Sequence, residues 1–578
     1  MKLRNLEIKN FRNFKHIAIN LENRNIVFGM NDIGKTNFLY AIRFLLDKEI
    51  RKNGFKDSDY YRKNTSENIE IILTIGIDDY EEDEDTKKLI AKMHGAVGSD
   101  YNEIYIKLES EYDDREDITY PKMYWGDKKD ELLELNSIGP SYPIDEVFKI
   151  IYINPLINLE TVFKVHKKSI FEERNAQEKD ITIRKDIDAI SKSLNEKISE
   201  LSLVEQFQDH VTTHYKDLRK EDISIELKSE MEIKGYYNNL VPYIKRDNDS
   251  NHYPTGGDGR RKLLSYSIMN LVNKKESQQK ILIHLVEEPE NSLHKSMQIA
   301  LSKQLFNSAS YKNLFVSTHS APIIYEMDNV NLIRIYSSDK IECCTYAYRV
   351  SEEYKSVKKK LTKNLSEAIF SERVLLIEGP SEKVLFDKVM EEINPEYEID
   401  GGYILDIGGI GFKPYIDILN GLGIISIVKT DNDLKKSFKK INKNRKDGLL
   451  EYEVYGFNRV LPYINEDKLP NIEIANTSDE KENKSILINK KREIFNINKE
   501  IVERLNSEYK IFLSEVDLEN DLYRVIKNEL DEYTDTSNVV EYLQSKKLYN
   551  LVGILNKLSF EDCKKIYNSE EFKCLREL

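Results

Sequence analysis

Two groups of residues in this chain have types and spacings that could do chemistry. The first is Gly29-Met30-Asn31-Asp32-Ile33-Gly34-Lys35-Thr36, which fits the pattern G-x-x-x-x-G-K-[ST]. Glycines at such positions let backbone N–H groups turn inward on phosphate oxygens at the start of a helix. Lys35 would add charge at the β- and γ-phosphates, and the Thr36 hydroxyl would reach Mg²⁺. The candidate nucleotide contacts are therefore Gly29, Asn31, Gly34, Lys35, Thr36 and Asn37. Far downstream, the apolar run Ile281–Val286 ends in Glu287-Glu288-Pro289-Glu290. A carboxylate at such a strand end can hold the Mg²⁺ water shell, and its neighbour can orient an attacking water. A second apolar run ends in Ser317-Thr318-His319-Ser320, where His319 could sense a γ-phosphate. Taken singly, an ordinary glycine turn or a structural histidine would explain each piece.

The second group is acidic. Val374-Leu375-Leu376-Ile377 runs into Glu378-Gly379, with Glu382 one helical turn further on. Ile425–Lys429 runs into Thr430-Asp431-Asn432-Asp433, and Leu513-Ser514-Glu515-Val516-Asp517-Leu518-Glu519 adds a third set. Alternate residues of an extended strand end share a face, so Asp431 and Asp433 can point into one site. So many carboxylates on one edge repel unless cations hold them, and oxygen ligands favour Mg²⁺ or Mn²⁺ over zinc. Glu378, Glu382, Asp431, Asp433, Asp517 and Glu519 are thus candidate metal ligands. Two such ions ~4 Å apart would clamp the attacking and leaving oxygens of a phosphoryl transfer.

The elements that must position these groups are legible in the periodicity. Residues 3–20 alternate apolar and polar and read as two strands joined around Phe11-Arg12-Asn13. A strand over 24–28 precedes the glycine loop and a helix from Thr36 to Leu46, with further strands at 69–77, 103–109 and 148–153. From about 155 to 220 the chain is polar and helical in period, which reads as an inserted arm. Strands return at 281–287 and 313–317, a helix fills much of 291–308, and a charged helix spans 352–369. Strands at 374–377, 403–407 and 424–429 then alternate with helices at 381–393 and 413–421, the rhythm of a parallel α/β sheet. A Lys-rich loop follows at 434–446, then a charged helical stretch at 478–510, a strand at 511–516 and a mostly helical tail. These shifts divide the chain at 1–154, 155–220, 221–350, 351–370 and 371–578.

Composition narrows the class. At 578 residues, with 40% hydrophobic and 33% charged, the chain is long enough for about four cores of ~150 residues and is neither disordered nor collagenous. A formal charge of −14 means that any nucleic-acid surface must be a local basic one. Four cysteines without metal-ligand spacing fit a reducing cytoplasm. The N-terminus lacks the apolar core of a signal peptide, and no run approaches the ~18 apolar residues of a membrane span, so a cytoplasmic protein is expected.

The opening Ile8-Lys9-Asn10-Phe11-Arg12-Asn13-Phe14, the glycine loop, Glu287–Glu290 with Leu293-His294, and Ser317–Ser320 together resemble the ATP-binding-cassette heads of the SMC, RecF and OLD ATPases. That resemblance implies two heads sandwiching ATP, with a signature loop reaching the partner's γ-phosphate. The candidate loop, Thr255-Gly256-Gly257-Asp258-Gly259-Arg260-Arg261, departs from Leu-Ser-Gly-Gly-Gln, and no Q-loop stands out. Glu378-Gly379 followed by Asp431-Asn432-Asp433 resembles the Toprim domain of topoisomerases, primases and OLD nucleases. The expected fold is an α/β chain with an ABC/SMC-like head interrupted by a helical insertion, then a Toprim-type domain with a helical C-terminal region. Head followed by Toprim is the OLD arrangement, and the stretches 29–38, 287–290, 378–382 and 513–521 look particularly like the nuclease subunits of Gabija antiphage systems.

That resemblance implies a Mg²⁺-dependent DNA endonuclease regulated by nucleotide, a homo-oligomer (dimer or tetramer), and a UvrD-like helicase partner. It also implies a catalytic role for Lys547, the Lys of a late helix, beside Glu378, Asp431, Asp433 and Asp517. Lys435, Lys436, Lys439, Lys440, Lys443, Arg445 and Lys446 could neutralise DNA phosphates next to the acids, although a solvated loop would have the same composition. An SMC-like ATP-driven DNA clamp with a non-catalytic Toprim scaffold is the alternative, and the full set of acids argues against it. A topoisomerase or primase would need a strand-transferring Tyr domain or a zinc module, and no cysteine cluster supports the latter.

Overall fold

The computed structural model describes residues 1–29, 33–79, 82–93, 102–116, 118–137, 141–171, 178–218, 223–224, 226, 242–245, 252–254, 257–337, 341–437, 449–475, 477 and 479–578. Contacts divide the chain into two units, Met1–Pro155 with Gln279–Leu578 and, separately, Leu156–Gln278.

The first unit opens with the hairpin β1 (Lys2–Phe11) and β2 (Phe14–Asn20), whose apolar residues alternate inward as the period-two pattern requires. β3 (Arg24–Phe28) follows, and then β4 (Ile69–Gly76), β5 (Glu103–Ser110), β6 (Lys122–Gly126), β7 (Leu133–Glu134) and β8 (Phe148–Ile153). One antiparallel sheet has the order β2-β1-β4-β5-β6-β7. The second unit contains the helices Leu159–Phe171, Glu178–Ser199 and Ser202–Leu218, the short strands β9 (Tyr243–Lys245) and β10 (His252–Pro254), and the helix Asp258–Glu276. It takes in the segment expected as an arm and continues to Gln278.

Back in the first unit come β11 (Ile281–Glu287), β12 (Leu314–Ser317), β13 (Val330–Ser337) and β14 (Ile341–Tyr348). They build a second sheet of order β14-β13-β3-β12-β11-β8, parallel except for β14. Every residue of β11 is buried, as expected for a parallel strand covered on both faces. The helix Lys35–Leu46 touches both sheets and buries Phe38, Leu39, Ile42 and Leu45 between them. The core is sealed nearby by Phe44 and Phe55, whose stacked rings lie 4.3 Å apart.

The C-terminal half is a parallel four-stranded sheet, order β16-β15-β17-β21, from β15 (Arg373–Ile377), β16 (Gly402–Asp406), β17 (Ile425–Thr430) and β21 (Ile511–Leu513). Between β17 and β21 lies a small antiparallel sheet of β18 (Lys435–Lys436), β19 (Leu449–Glu453) and β20 (Ile472–Ala475). The helices Pro380–Ile393, Val539–Ser545, Lys547–Leu555 and Phe560–Asn568 share a core with this half that includes Leu385, Leu543, Leu551 and Ile566.

Some boundaries differ from the sequence reading. The strand expected over 511–516 stops at Leu513, because Asp517 caps the next helix, Leu518–Val525, by accepting from the Asn520 N–H. The helical stretch expected over 478–510 is two helices, Glu480–Ile497 and Lys499–Tyr509, the second ended by Lys510 at φ 55°. The helix expected from 291 begins only at Lys295, since Glu288 and Ser292 take left-handed φ in the turns before it. Of the Lys-rich loop, Lys435 and Lys436 lie in β18, and 438–448 fall outside the described residues.

Candidate functional site

At the head, the glycine loop joins β3 to the helix Lys35–Leu46 at the carboxyl edge of the parallel sheet, where ligands bind in such folds. Gly29 has φ +148°, and a Cβ there would sit 2.1 Å from the Ile335 carbonyl oxygen, so the loop start has no room for a side chain. Lys35 is buried, and its Nζ donates to the Gly29 carbonyl at 3.2 Å. Asn31 lies outside the described residues. The Asn13 side chain donates to the Ile33 carbonyl at 2.7 Å, and Asn37 donates to Asn13 while accepting from Arg12, each at 2.9 Å. Because β12 lies between β3 and β11, Glu287 reaches across to this loop and accepts a hydrogen bond from the Thr36 hydroxyl. Its other oxygen accepts from the Tyr152 hydroxyl. The Thr36–Glu287 contact is the juxtaposition that a shared Mg²⁺ shell needs.

His319 follows β12. Its backbone N–H donates to Glu290 at 2.8 Å, and its Nε2 lies 3.5 Å from Oε1 of Glu288. Burial and then the charge of Lys35 lower the His319 pKa, which favours the neutral ring. Burial raises the carboxyl of Glu290, whose Oε2 is buried without a hydrogen-bond partner among the described residues. Of the candidate signature loop, residues 255 and 256 are outside the described set, and Gly257 to Arg261 open the helix of the second unit.

In the C-terminal half, the carboxyl edge of the sheet carries the acids. Glu378 follows β15, Asp431 follows β17, and Asp517 lies just beyond β21. Oε1 of Glu378 accepts from the Thr430 hydroxyl at 2.8 Å and from the Asp431 N–H at 3.0 Å, which fixes the two strand ends together. Burial, then Glu378, Glu382, Asp517 and Asp433 in turn, push the Asp431 carboxyl well above its ordinary value. Burial and Glu378 likewise push Glu382 up to about 7, against the opposing pull of Lys547. Four carboxylates thus act on Asp431, which marks this sheet edge as an acidic site.

Lys547 is the first residue of the helix Lys547–Leu555 rather than the last of the preceding one, and its Nζ lies 3.7 Å from Oε1 of Glu519. Burial works against its charge, but Glu519, Asp431, Asp517 and Glu382 outweigh it and hold its pKa up. The lysine therefore faces the same acids.

The six acids expected to ligate metal are not gathered into one coordination group. Among the described residues, no three acidic, His or Cys side chains stand close enough to hold one ion. Three of the carboxylates are held by protein partners instead. Glu378 is paired with Arg459, Asp433 with Lys491 at 3.2 Å, and Asp517 accepts from Gln544 at 2.9 Å and from the Asn520 side chain at 2.7 Å. The donor set nevertheless fits hard divalent cations. It is all oxygen, burial and neighbouring carboxylates raise Asp431, Glu382 and Glu519, and Oε2 of Glu519 is buried without a hydrogen-bond partner among the described residues.

Comparison with known proteins bears on the same two halves. The AAA ATPase domain model matches residues 1–324, and the TOPRIM domain model of proteins like the overcoming-lysogenization-defect protein matches 369–433. Endonuclease GajA of Bacillus cereus (strain VD045) is 51% identical over 581 residues, covering 100% of this chain and 99% of that protein. The chain belongs to the GajA endonuclease family. The Old nuclease of Escherichia phage P2 is 24% identical over 75% of this chain and 77% of that protein. A crystal structure of an SMC head bound to the C-terminal winged-helix domain of ScpA has 14% identity and a TM-score of 0.35, over 60% of this chain and 97% of that one. An ATPase domain followed by a Toprim domain is thus the organisation of this chain, and domains of these kinds use nucleotide and metal. No helix among the described residues is long and apolar enough to cross a membrane.

Sequence reasoning missed Arg459, Lys491, Gln544 and Tyr152. None sits in a motif. A weak signal existed for Tyr152, which alternates with buried residues on a strand that pairs in register with β11.

Proposed function

We propose that this member of the GajA endonuclease family cuts double-stranded DNA in the acidic cleft at the carboxyl edge of β15, β17 and β21. Glu378, Glu382, Asp431, Asp433, Asp517 and Glu519 would hold Mg²⁺ or Mn²⁺. Such ions, when bound, polarise the scissile phosphate and lower the pKa of the attacking water. Lys547, set among the same acids, is the group to neutralise charge on the phosphate as it develops. The observation that carries this reading is the environment of Asp431, whose charge is opposed by Glu378, Glu382, Asp517 and Asp433 at one sheet edge. Incubation of supercoiled plasmid with Mg²⁺ tests it. Nicked or linear product that disappears in Asp431→Ala is expected, and intact plasmid under all divalent ions would refute it.

ATP is proposed to bind at Gly29, Asn31, Gly34, Lys35, Thr36 and Asn37, with Glu287, Glu288 and His319 around the γ-phosphate. Its role is regulatory: nucleotide-bound heads would clamp together and disfavour DNA entry to the Toprim clefts, and nucleotide depletion would release cutting. DNA must then weaken ATP binding by the factor with which ATP weakens DNA binding. Paired titrations in Ca²⁺, each ligand with and without the other, should give equal factors, and no mutual effect would leave the head without this role. The second unit exposes Ile190, Leu201, Leu203 and Phe207 on its helices and the turn between them, which supports a homo-oligomer built on this segment. Its deletion should abolish the native oligomer in light scattering. A UvrD-like helicase partner and a place in antiphage defence follow from the family reading, and phage plaque counts with and without Asp431→Ala address the latter.

A further inference from the structure

Arg459 follows the short helix Tyr455–Asn458, in the segment between β17 and the helix Glu480–Ile497. Its Nη1 donates to Oε2 of Glu378 at 3.0 Å and its Nη2 to Oε1, a fork on both carboxylate oxygens. Nη2 also meets the Thr430 hydroxyl and, at 3.2 Å, the Asp431 carbonyl. The guanidinium is held in place by aromatic rings, its carbon lying 5.5 Å from the centre of Phe412 and 5.3 Å from that of Tyr455. The helix that delivers it is seated directly on the acidic loop. The Gly456 N–H donates to the Asp433 carbonyl at 2.9 Å, and a Cβ on Gly456 would sit 2.5 Å from the Asp431 carbonyl oxygen. On the same segment, the Lys435 ammonium lies 3.2 Å from the centre of the Tyr455 ring, so a basic strand, an aromatic ring and Arg459 are contiguous.

A divalent cation on Glu378 and a guanidinium forked onto the same two oxygens repel each other and compete for the same lone pairs. A DNA phosphate is the other acceptor whose geometry matches that fork, and the cleft is where such a phosphate would lie. We propose that Arg459 exchanges partners. It holds Glu378 until a phosphate oxygen of the DNA takes the guanidinium, which leaves Glu378 to the ion. Arg459 is then a positioning residue that makes DNA binding and ion binding favour each other, by the same factor in both directions. The inference rests on the reading of Glu378 as a metal ligand.

Calorimetric titration of the full-length protein with Ca²⁺, without nucleotide and with or without a short duplex, separates the two ideas. Arg459→Gln should bind Ca²⁺ on the order of tenfold more tightly than wild type in the absence of DNA, the worth of one forked ion pair. The strengthening of Ca²⁺ binding by the duplex, present in wild type, should be lost. Arg459→Lys, which keeps the charge and loses the fork, should fall between them, and an unchanged thermal midpoint in either variant shows that the fold is intact. Glu378→Gln should weaken Ca²⁺ binding in every background. If it does not, the metal reading of Glu378 fails. If it does, and both Arg459 variants bind Ca²⁺ no more tightly than wild type, the exchange is overturned while the metal reading stands.

Discussion

Lys429 and Asp521 form an ion pair that water does not reach, with Nζ 2.8 Å from Oδ2 and both side chains 3% exposed. Lys429 stands two residues before Asp431 on β17. Burial works against the Lys429 charge, but Asp521 outweighs it and keeps the pKa raised, and the ammonium also donates to the Glu571 carbonyl at 3.0 Å. The pair anchors the C-terminal residues beneath the acidic edge.

Removing one partner of such a pair strands the other charge. Lys429→Met should therefore lower unfolding free energy by about 3–5 kcal/mol, and the double change with Asp521→Leu should recover most of that loss. Urea unfolding of the single and double variants measures both. A neutral single variant would mean that the pair contributes no specificity to this packing.

Asp431→Asn should abolish DNA cleavage in Mg²⁺ without lowering the thermal midpoint. The substitution removes a charge that burial and four neighbouring carboxylates oppose, so the folded protein loses repulsion rather than support. Plasmid cleavage and a thermal melt on the same sample give both answers.

Burial, and then Glu378, push the Glu382 carboxyl up to about 7 from its ordinary value of 4.5. A carboxyl must lose its proton before it can bind a divalent ion, so Ca²⁺ affinity should rise as pH passes through about 7, with protons released on binding. Without added ions the stability consequence has the opposite sign. The folded state holds this proton more tightly than the unfolded chain, so stability is greatest below 4.5 from this group and is lost as pH rises through about 7. Glu382→Gln should flatten both dependences, read by calorimetry in buffers of different ionisation enthalpy and by melts across pH.

Lys35→Ala should weaken ATP binding by roughly tenfold or more, since it deletes a charge-assisted contact to phosphate worth about 1.5–3 kcal/mol. Cleavage without nucleotide should be unchanged, because Lys35 opens the helix after the head's glycine loop and is not among the acids of the C-terminal half. Fluorescent nucleotide titration together with plasmid cleavage checks this.

The parts of this fold that are local can be read from the chain alone. The glycine spacing of 29–36 and the start of the helix at Lys35 after β3 are set within about a dozen residues, which is why the sequence alone suggests a phosphate-type turn there. The strands ending in Glu287, Glu378 and Asp431 are equally local: continuous apolar runs stop at a carboxylate, and parallel sheets bind ligands at that edge. Relations between distant segments are different. Which strand lies between β3 and β11, and so whether Thr36 meets Glu287, depends on strand order, which periodicity does not encode. Arg459, Lys491 and Gln544 come from three separate elements, and nothing in their own neighbourhoods distinguishes them from surface residues. Their role arises only when packing brings them to Glu378, Asp433 and Asp517, where clustered negative charge finds a cation or a donor. The extent of the second unit, to Gln278, was likewise decided by contacts, because a helix such as Asp258–Glu276 carries no mark of which core it will join.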